Sequence, residues 1–179
     1  MSPYILKYYP EDTPLRRLLI HHSEQVAARA LKICDAHPEL GLNRDFLREA
    51  ALIHDIGIFL TDAPGIHCHG TMPYLTHGVQ GATLMRNEGR EDLARICERH
   101  TGSGLTAAEI KAGALPLPEM DFLPETIEEK LICLADKFFS KSGDMAEKPL
   151  PKIRRSMEKF GTPALERFDK LCRIFSIAE

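Results

Sequence analysis

The sequence predicts an all-α fold in a single domain. Its 179 residues include 22 Leu, 17 Ala and 14 Ile, against two Val and no Trp, and this bias favours helices because strands prefer valine and aromatic residues. Apolar residues recur at helical spacing between capping and breaking signals. A chain of this length commonly forms one domain, and no repeat, low-complexity tract or linker divides it. We therefore expect residues 1–179 to form one bundle of roughly seven to nine helices.

Three helices in the first third of the chain are marked by residues that cap helix N-termini. Thr13 is followed by Pro14 at the first helical position, while Ser23 and Asn43 each precede a run with helical apolar spacing. The second half of the third run is apolar enough for a central, buried helix. The three predicted helices cover residues 14–20, 23–36 and 44–60.

A long loop over residues 61–74 follows, and loops of this length inside a compact domain are often functional. Beyond it the pattern is again helical, apart from an extended connection over 115–125 that contains three prolines. The further predicted helices cover residues 75–89, 90–100, 105–113, 126–143, 151–161 and 162–176.

The distribution of charge bears on the class of ligand. The net charge of −3 argues against a nucleic acid held by electrostatics. The segment from Lys137 to Arg173 nevertheless carries ten Lys or Arg against five Asp or Glu. We interpret this segment as a solvated face of the last helices, the alternative being a positive rim beside a pocket for a phosphate-bearing ligand.

Hydropathy and cysteine usage indicate a cytoplasmic protein without a membrane partner. No apolar run is long enough to span a bilayer, and the N-terminus does not resemble a signal peptide. The five cysteines are scattered and form no C-x-x-C pair, which is typical of a reducing cytosol and gives no support to a four-cysteine zinc site.

Two carboxylates lie in segments that are otherwise apolar. Asp55 follows His54 within AALIHDIGIF, and Asp136 lies within LICLADKFF. A charged carboxylate is almost never fully buried unless it is paired or binds a metal, and imidazole together with carboxylate suits Mn, Fe, Zn or Ni ions. For the His54–Asp55 pair taken alone, a core histidine satisfied by its neighbour is an equal alternative.

His22, which lies 32 positions before His54, adds a third feature to the His54–Asp55 pair and Asp136. The chain thus carries a His, an adjacent His-Asp and a distant Asp, in HHSEQVAARAL, AALIHDIG and LADKFFS. Over about residues 15–140 the sequence resembles the HD-domain superfamily of metal-dependent phosphohydrolases. The resemblance implies an HD-domain helical bundle on which helices over 150–176 pack. It also implies that one metal ion is held by His22, His54, Asp55 and Asp136.

The resemblance extends to two further histidines. His77 in THGVQGATLMRNEG and His100 in ICERHTGSGLT match segments that hold a second ion in the di-metal members, where the His-Asp carboxylate bridges both ions. It therefore implies a second site made by Asp55, His77 and His100. Without the family, His77 is an N-terminal helix residue bonded to the preceding loop, and His100 is a cation favouring a helix C-terminus.

The chain departs from the family pattern at Ile58. Many hydrolytic HD proteins carry Lys three residues after the Asp, where it meets a substrate phosphate, and this chain has Ile58 there. We expect Lys137, or failing that Lys141, to supply the missing charge. The TGSG turn, which contains Thr101 and Ser103, is a further candidate for binding an anion. The alternatives are plain surface lysines and a helix stop followed by a cap.

His67 and His69 lie two positions apart in the long loop, so both face one side if that loop is extended. We regard them as candidates for binding substrate or transferring a proton, and the alternative is that they are ordinary polar loop residues.

The expected activity is hydrolysis of a small phosphate ester, such as a nucleotide or a related phosphomonoester or diester, at two divalent ions with Asp55 as the catalytic residue. We expect iron or manganese, with zinc, nickel, cobalt or magnesium as alternatives. Two rival functions are a di-iron oxygenase of the inositol-oxygenase type, which Ile58 keeps open, and a non-catalytic module that binds a nucleotide. Neither a membrane nor a nucleic acid is an expected partner.

Overall fold

Helices make up most of the chain, and the all-α prediction is confirmed. The computed structural model describes residues 2–177. Within that range the helices are α1 (Pro3–Tyr8), α2 (Pro14–Ala36), α3 (Arg44–Ile53), α4 (His77–Asn87), α5 (Glu91–Arg99), α6 (Ala107–Ala112), α7 (Ile127–Asp136), α8 (Leu150–Glu158) and α9 (Thr162–Ile174). Among the described helices, none has the length and apolarity needed to cross a bilayer.

Helix α7 lies at the centre of the bundle. It contacts α2, α3, α5 and α9, while α2 packs on α3 and α4 packs on α5. The stretch from Leu131 to Ala135 is completely buried, as expected for a helix that is apolar on all sides. Full burial of a Leu or Ile side chain stabilises the fold by about 1.5–3 kcal/mol. This packing brings Asp136, the last residue of α7, into the middle of the molecule.

The N-terminal region differs from the sequence prediction in two ways. Helix α1 was not predicted, although Ser2 caps it by accepting a hydrogen bond from the Tyr4 amide at 3.3 Å. The predicted helices over 14–20 and 23–36 are one continuous helix, so the expected cap at Ser23 is wrong. Ser23 is completely buried inside α2, and the apolar stripe that passes it overrides its local preference for a helix start.

Two central helices end earlier than predicted. Helix α3 ends at Ile53, and residues 54–57 form a turn before a short 3-10 turn at Ile58–Leu60. At this turn Gly57 lies against α4 so closely that a Cβ would lie 2.3 Å from the His77 carbonyl oxygen. Helix α7 ends at Asp136 rather than continuing to 143, and residues 137–149 form an irregular segment. The other predicted helices agree with the observed bounds within a few residues.

The predicted loop over 61–74 contains a small sheet. Strand β1 (Thr61–Ala63) lies between β2 (Cys68–His69), which is antiparallel to it, and β3 (Met72–Pro73), which is parallel. The predicted connection over 115–125 joins α6 to α7 without a helix, but it is not extended throughout, because the Leu117 and Met120 amides donate to carbonyl oxygens two residues earlier.

Candidate metal centre

Six side chains singled out in the sequence meet at the centre of the bundle. One lies on α2, two lie in the turn after α3, one begins α4, one follows α5 and one ends α7. All six are buried, with at most 7% of the residue exposed. They are His22, His54, Asp55, His77, His100 and Asp136.

The six side chains form two clusters that share Asp55. In the first, His22 Nε2 lies 3.0 Å from Asp136 Oδ1 and 3.3 Å from Asp55 Oδ2, and His54 Nε2 lies 3.2 Å from the same Asp55 oxygen. In the second, Asp55 Oδ1 lies 3.3 Å from His77 Nε2 and 3.4 Å from His100 Nε2. The ligand atoms within each cluster lie within 4.8 Å of one another. Asp55 therefore presents one oxygen to each cluster.

Backbone hydrogen bonds fix the tautomer of three of these histidines. The Nδ1 atoms of His54, His77 and His100 each lie 2.7 Å from the carbonyl oxygen three residues earlier in the chain. A carbonyl oxygen only accepts, so each Nδ1 carries the proton and each neutral ring presents the Nε2 lone pair to the centre. His77 Nε2 and His100 Nε2 lie 3.1 Å apart. Two lone pairs at this distance repel unless a cation lies between them.

The unpartnered atoms of the cluster test whether a metal fits. Among the described residues, His54 Nε2 and both oxygens of Asp55 are buried without a hydrogen bond. Lys141 pairs with Asp55 Oδ2, whereas within the described chain Oδ1 faces only the Nε2 atoms of His77 and His100. A buried carboxylate oxygen without a hydrogen bond or a cation is costly. Ligands on one ion at metal–ligand distances of about 2.1 Å lie about 3 Å apart, which agrees with the 3.1 Å between His77 and His100. The donor set therefore fits a divalent metal.

The protonation of the cluster agrees with this interpretation. Burial lowers the pKa of His77 to about 3 and also lowers the pKa of His100, so both rings stay in the neutral form that binds metals. Burial lowers the pKa of His54 too, but the adjacent carboxylates outweigh burial and raise it to about 9. Without a metal, the carboxylates thus favour the protonated, positively charged ring of His54. A metal ion bound at Nε2 would replace that proton.

Two lysines from the segment after α7 reach the carboxylates. Lys141 Nζ lies 2.6 Å from Asp55 Oδ2, and Lys137 Nζ lies 2.7 Å from Asp136 Oδ2. Burial opposes ionisation of both carboxyls, yet Lys141 for Asp55 and Lys137 for Asp136 help to hold their pKa values well below the usual range. Ile58, which replaces the lysine that many hydrolytic HD proteins carry, is completely buried in the apolar core. The positive charge therefore comes from the segment 137–141.

A cavity of about 610 Å³ opens beside Asp136 and the two lysines. Its polar lining also includes Lys148, three serine hydroxyls and Tyr74. Lys148 was not predicted as a site residue, and its segment was interpreted as a solvated face, with a positive rim only as the alternative. Its place beside the centre depends on the path of residues 137–149, which no local sequence signal defines.

The TGSG turn borders this cavity only through Gly102. Thr101 and Ser103 instead line a second cavity of about 410 Å³, whose wall is mainly apolar and which shares Gly102, Met157 and Phe160 with the first. The Ser103 hydroxyl donates to the Ala164 carbonyl at 2.7 Å and is thereby used in packing α9.

The two loop histidines lie apart from the cluster. His67 and His69 are both exposed, whereas the neighbouring Gly65 and Ile66 line the first cavity. His67 has a φ of 64°, so the loop is not extended at that position and the two side chains do not follow strand alternation. Their role in binding substrate stays a prediction, with no contact in the described chain that favours it.

The fold and these clusters together define a class of protein. The family profile of the HD domain matches residues 19–140, which is most of the chain, and includes all six clustered residues. The chain belongs to the HD-domain superfamily of metal-dependent phosphohydrolases.

Three relatives show how far the similarity extends. A tRNA (cytidine(56)-2'-O)-methyltransferase from Picrophilus torridus is 36% identical over 146 residues, covering 76% of this chain and 38% of the relative. A protein of the same name from Thermoplasma volcanium is 33% identical over 159 residues, covering 88% of this chain and 42% of the relative. An uncharacterized protein from Methanocaldococcus jannaschii is 38% identical over 124 residues, covering 64% of this chain and 66% of the relative. The chain thus spans about two fifths of the methyltransferase-named relatives. No solved structure matches it.

Proposed function

We propose that the chain is a metal-dependent hydrolase of a small phosphate ester, such as a nucleotide or a related phosphomonoester or diester. The observation that carries the proposal is the position of Asp55, whose two oxygens face two separate groups of buried histidines. In this assignment His22, His54, Asp55 and Asp136 hold one ion, and Asp55, His77 and His100 hold the other. When bound, two divalent ions supply a water acidified towards neutral pH and positive charge for the phosphoryl oxygens.

The protein orients this site through its own hydrogen bonds. The three carbonyl oxygens that accept from Nδ1 atoms hold the rings of His54, His77 and His100 with Nε2 directed at Asp55. Such partners of metal ligands typically change metal affinity or activity by about 10- to 100-fold when removed. The rigid rings and the buried carboxylate thus keep the centre in one geometry before substrate arrives.

The adjoining cavities fit the two parts of an ester. Lys137 and Lys141 lie at the end of the first cavity nearest the carboxylates, where they can offset charge on a phosphoryl group. The second cavity is lined mainly by apolar side chains, which suits an organic group. Met157 and Phe160 border both cavities, so the two cavities are adjacent.

The four imidazoles and two carboxylates of the site suit the expected iron or manganese, and they suit zinc or nickel as well. The same ligands suit a di-iron oxygenase, for which iron content together with O₂ consumption is the distinguishing measurement. Two relatives carry tRNA in their names, contrary to the expectation from net charge. We therefore include a tRNA transcript among the ligands to be tested.

Metal analysis and a substrate panel test the proposal. Protein purified without chelators is assayed for bound metals and then for hydrolysis of phosphomonoesters, phosphodiesters and nucleotides. Asp55→Ala should lose turnover and most of the metal, whereas Asp62→Ala, which changes an exposed acid on β1, should retain both. Full metal content and turnover in Asp55→Ala would show that the site is wrongly assigned. Metal binding with O₂ consumption and no phosphate release would support the oxygenase instead.

A further inference from the structure

The cavity beside the metal centre is lined by three lysines, and one of them forms no ion pair in the described chain. Its lining includes Lys137, Lys141 and Lys148, and Asp136 is its one acidic member among the described residues. Lys137 and Lys141 each lie against a carboxylate of the cluster. Lys148 is half-buried and has no ion pair or hydrogen bond through its side chain in the described part of the chain. Asp136, the acid in the same lining, attracts this ammonium group without forming an ion pair with it.

The segment that carries Lys148 is held in place by long-range hydrogen bonds. The Lys148 amide donates to the Phe138 carbonyl at 2.7 Å, which returns the segment to the end of α7. Gln25 on α2 donates to the Met145 carbonyl at 2.9 Å, and Arg29 on α2 pairs with Glu147. Lys148 is therefore positioned on the cavity wall rather than carried by a free loop.

Three serine hydroxyl groups also belong to the wall of this cavity. Ser140, Ser142 and Ser156 line the same cavity, and among the described residues none of them has a side-chain hydrogen bond. Hydroxyl and ammonium groups both donate to phosphate oxygens. Burial lowers the pKa of Lys148, and the nearby lysines add to this effect, so that the attraction of Asp136 does not fully offset them.

From these contacts we propose that the cavity binds a diphosphate group, with one phosphate at Lys137 and Lys141 and the second at Lys148 and the three serines. This inference rests on the proposed hydrolase function and narrows its substrate class to diphosphate esters. Hydrolysis would break a bridging P–O bond: the hydroxyl of a water joins the phosphorus near the cluster. The bridging oxygen stays with the second phosphate, together with the bonding electron pair, and the remaining proton is released or bound there.

Binding of a non-hydrolysable diphosphate tests this directly. Imidodiphosphate and inorganic phosphate are titrated calorimetrically into dialysed full-length protein, both metal-loaded and metal-free, with metal content measured before and after. Lys148→Gln removes one charge-assisted contact and should weaken imidodiphosphate binding about tenfold or more. The affinity for inorganic phosphate should change less than about twofold. Lys152→Gln, an exposed lysine of α8 outside the cavity lining, should change neither. Lys148→Arg, which keeps the charge, should restore most of the diphosphate affinity.

Each other outcome overturns the inference or separates it from the proposed function. Equal weakening of both ligands by Lys148→Gln, or no weakening of imidodiphosphate, overturns the diphosphate site even if the metal-loaded protein hydrolyses monoesters. Failure of wild-type protein to hydrolyse any phosphate ester contradicts the proposed function, while imidodiphosphate binding by metal-free protein that depends on Lys148 would still support the subsite. A short RNA that binds more tightly than imidodiphosphate, and is weakened alike by the Lys148 and Lys152 variants, would identify a nucleic-acid surface and overturn the inference.

Discussion

Replacing Lys141 by methionine should destabilise the metal-free protein more than the metal-loaded protein. The Lys141 ammonium lies 2.6 Å from Asp55 Oδ2, and the side chains of the two residues are 13% and 0% exposed. Without a metal, Lys141 is the nearest full positive charge to a completely buried carboxylate. Methionine retains much of the side-chain volume, so the substitution removes charge without leaving a large cavity.

The size of the effect follows from the cost of an unpaired buried charge. Breaking a buried ion pair by removing one partner costs about 3–5 kcal/mol. We expect the lower limit, about 3 kcal/mol, because Lys141 is partly exposed and imidazoles also lie near Asp55. With metal bound, Asp55 has another positive partner, and the loss should fall to about 1 kcal/mol, the upper range for a weakly coupled pair. The difference of about 2 kcal/mol corresponds to metal binding that is about 30-fold tighter in Lys141→Met.

Urea unfolding of chelator-treated and metal-loaded protein measures both stabilities, and competition with a chromophoric chelator measures metal affinity. Lys159→Met changes an exposed lysine just after α8 and serves as the matched control, with an expected effect within about 0.5 kcal/mol in both forms. Equal destabilisation of the two forms, or metal affinity that does not increase, would refute the reasoning that Lys141 and a metal compete for Asp55.

Three other substitutions test separate parts of the site. His77→Ala or His100→Ala should lower metal content from about two ions to about one per chain, and a wild-type value of one that neither variant changes contradicts the second ion. Lys137→Ala should cost about 2–4 kcal/mol of transition-state stabilisation, mainly in kcat; with metal content unchanged, an effect below about twofold removes Lys137 from phosphate binding. Gly57→Ala should destabilise the fold by about 3 kcal/mol or more, because its Cβ would lie 2.3 Å from a backbone oxygen of α4. Urea unfolding compares it with Gly65→Ala, where a Cβ meets nothing within 4 Å, and equal stability of the two variants contradicts the steric argument.

The two acids of the cluster were foreseeable from sequence because their signal is local, whereas His77 and His100 were expected only from the resemblance to the HD family. An acid inside an apolar segment must find a partner wherever that segment is buried, and this argument singles out Asp55 and Asp136 without a structure. The bounds of the helices were harder to predict from the sequence. Ser23 has the chemistry of an N-cap, yet it lies inside α2 because apolar residues on both sides of it pack against α3 and α7. The turn after α3 depends on contact between Gly57 and α4, which no local pattern indicates.

The lysines were only partly foreseeable for the same reason. Lys137 follows Asp136 directly, so its proximity to the site is a property of the sequence. Lys141 and Lys148 lie in a segment without regular structure, and their positions depend on hydrogen bonds that α2 and the end of α7 make to that segment. A sequence pattern records which residues are basic in such a segment but not which of them face a cavity.

The placement of the ligands at helix ends gives the centre an electrostatic advantage that single residues do not show. His54 follows the end of α3, His100 follows the end of α5, and Asp136 is the last residue of α7. Three helix C-termini, each carrying partial negative charge from the aligned dipoles of its peptide groups, therefore lie beside this centre. Each contributes about 0.3–1 kcal/mol towards binding a cation. His77 instead begins α4, whose N-terminus favours an anion. The backbone at the ends of α3, α5 and α7 therefore favours a cation at the centre, whereas the phosphate is expected on the side where Lys137 and Lys141 line the first cavity.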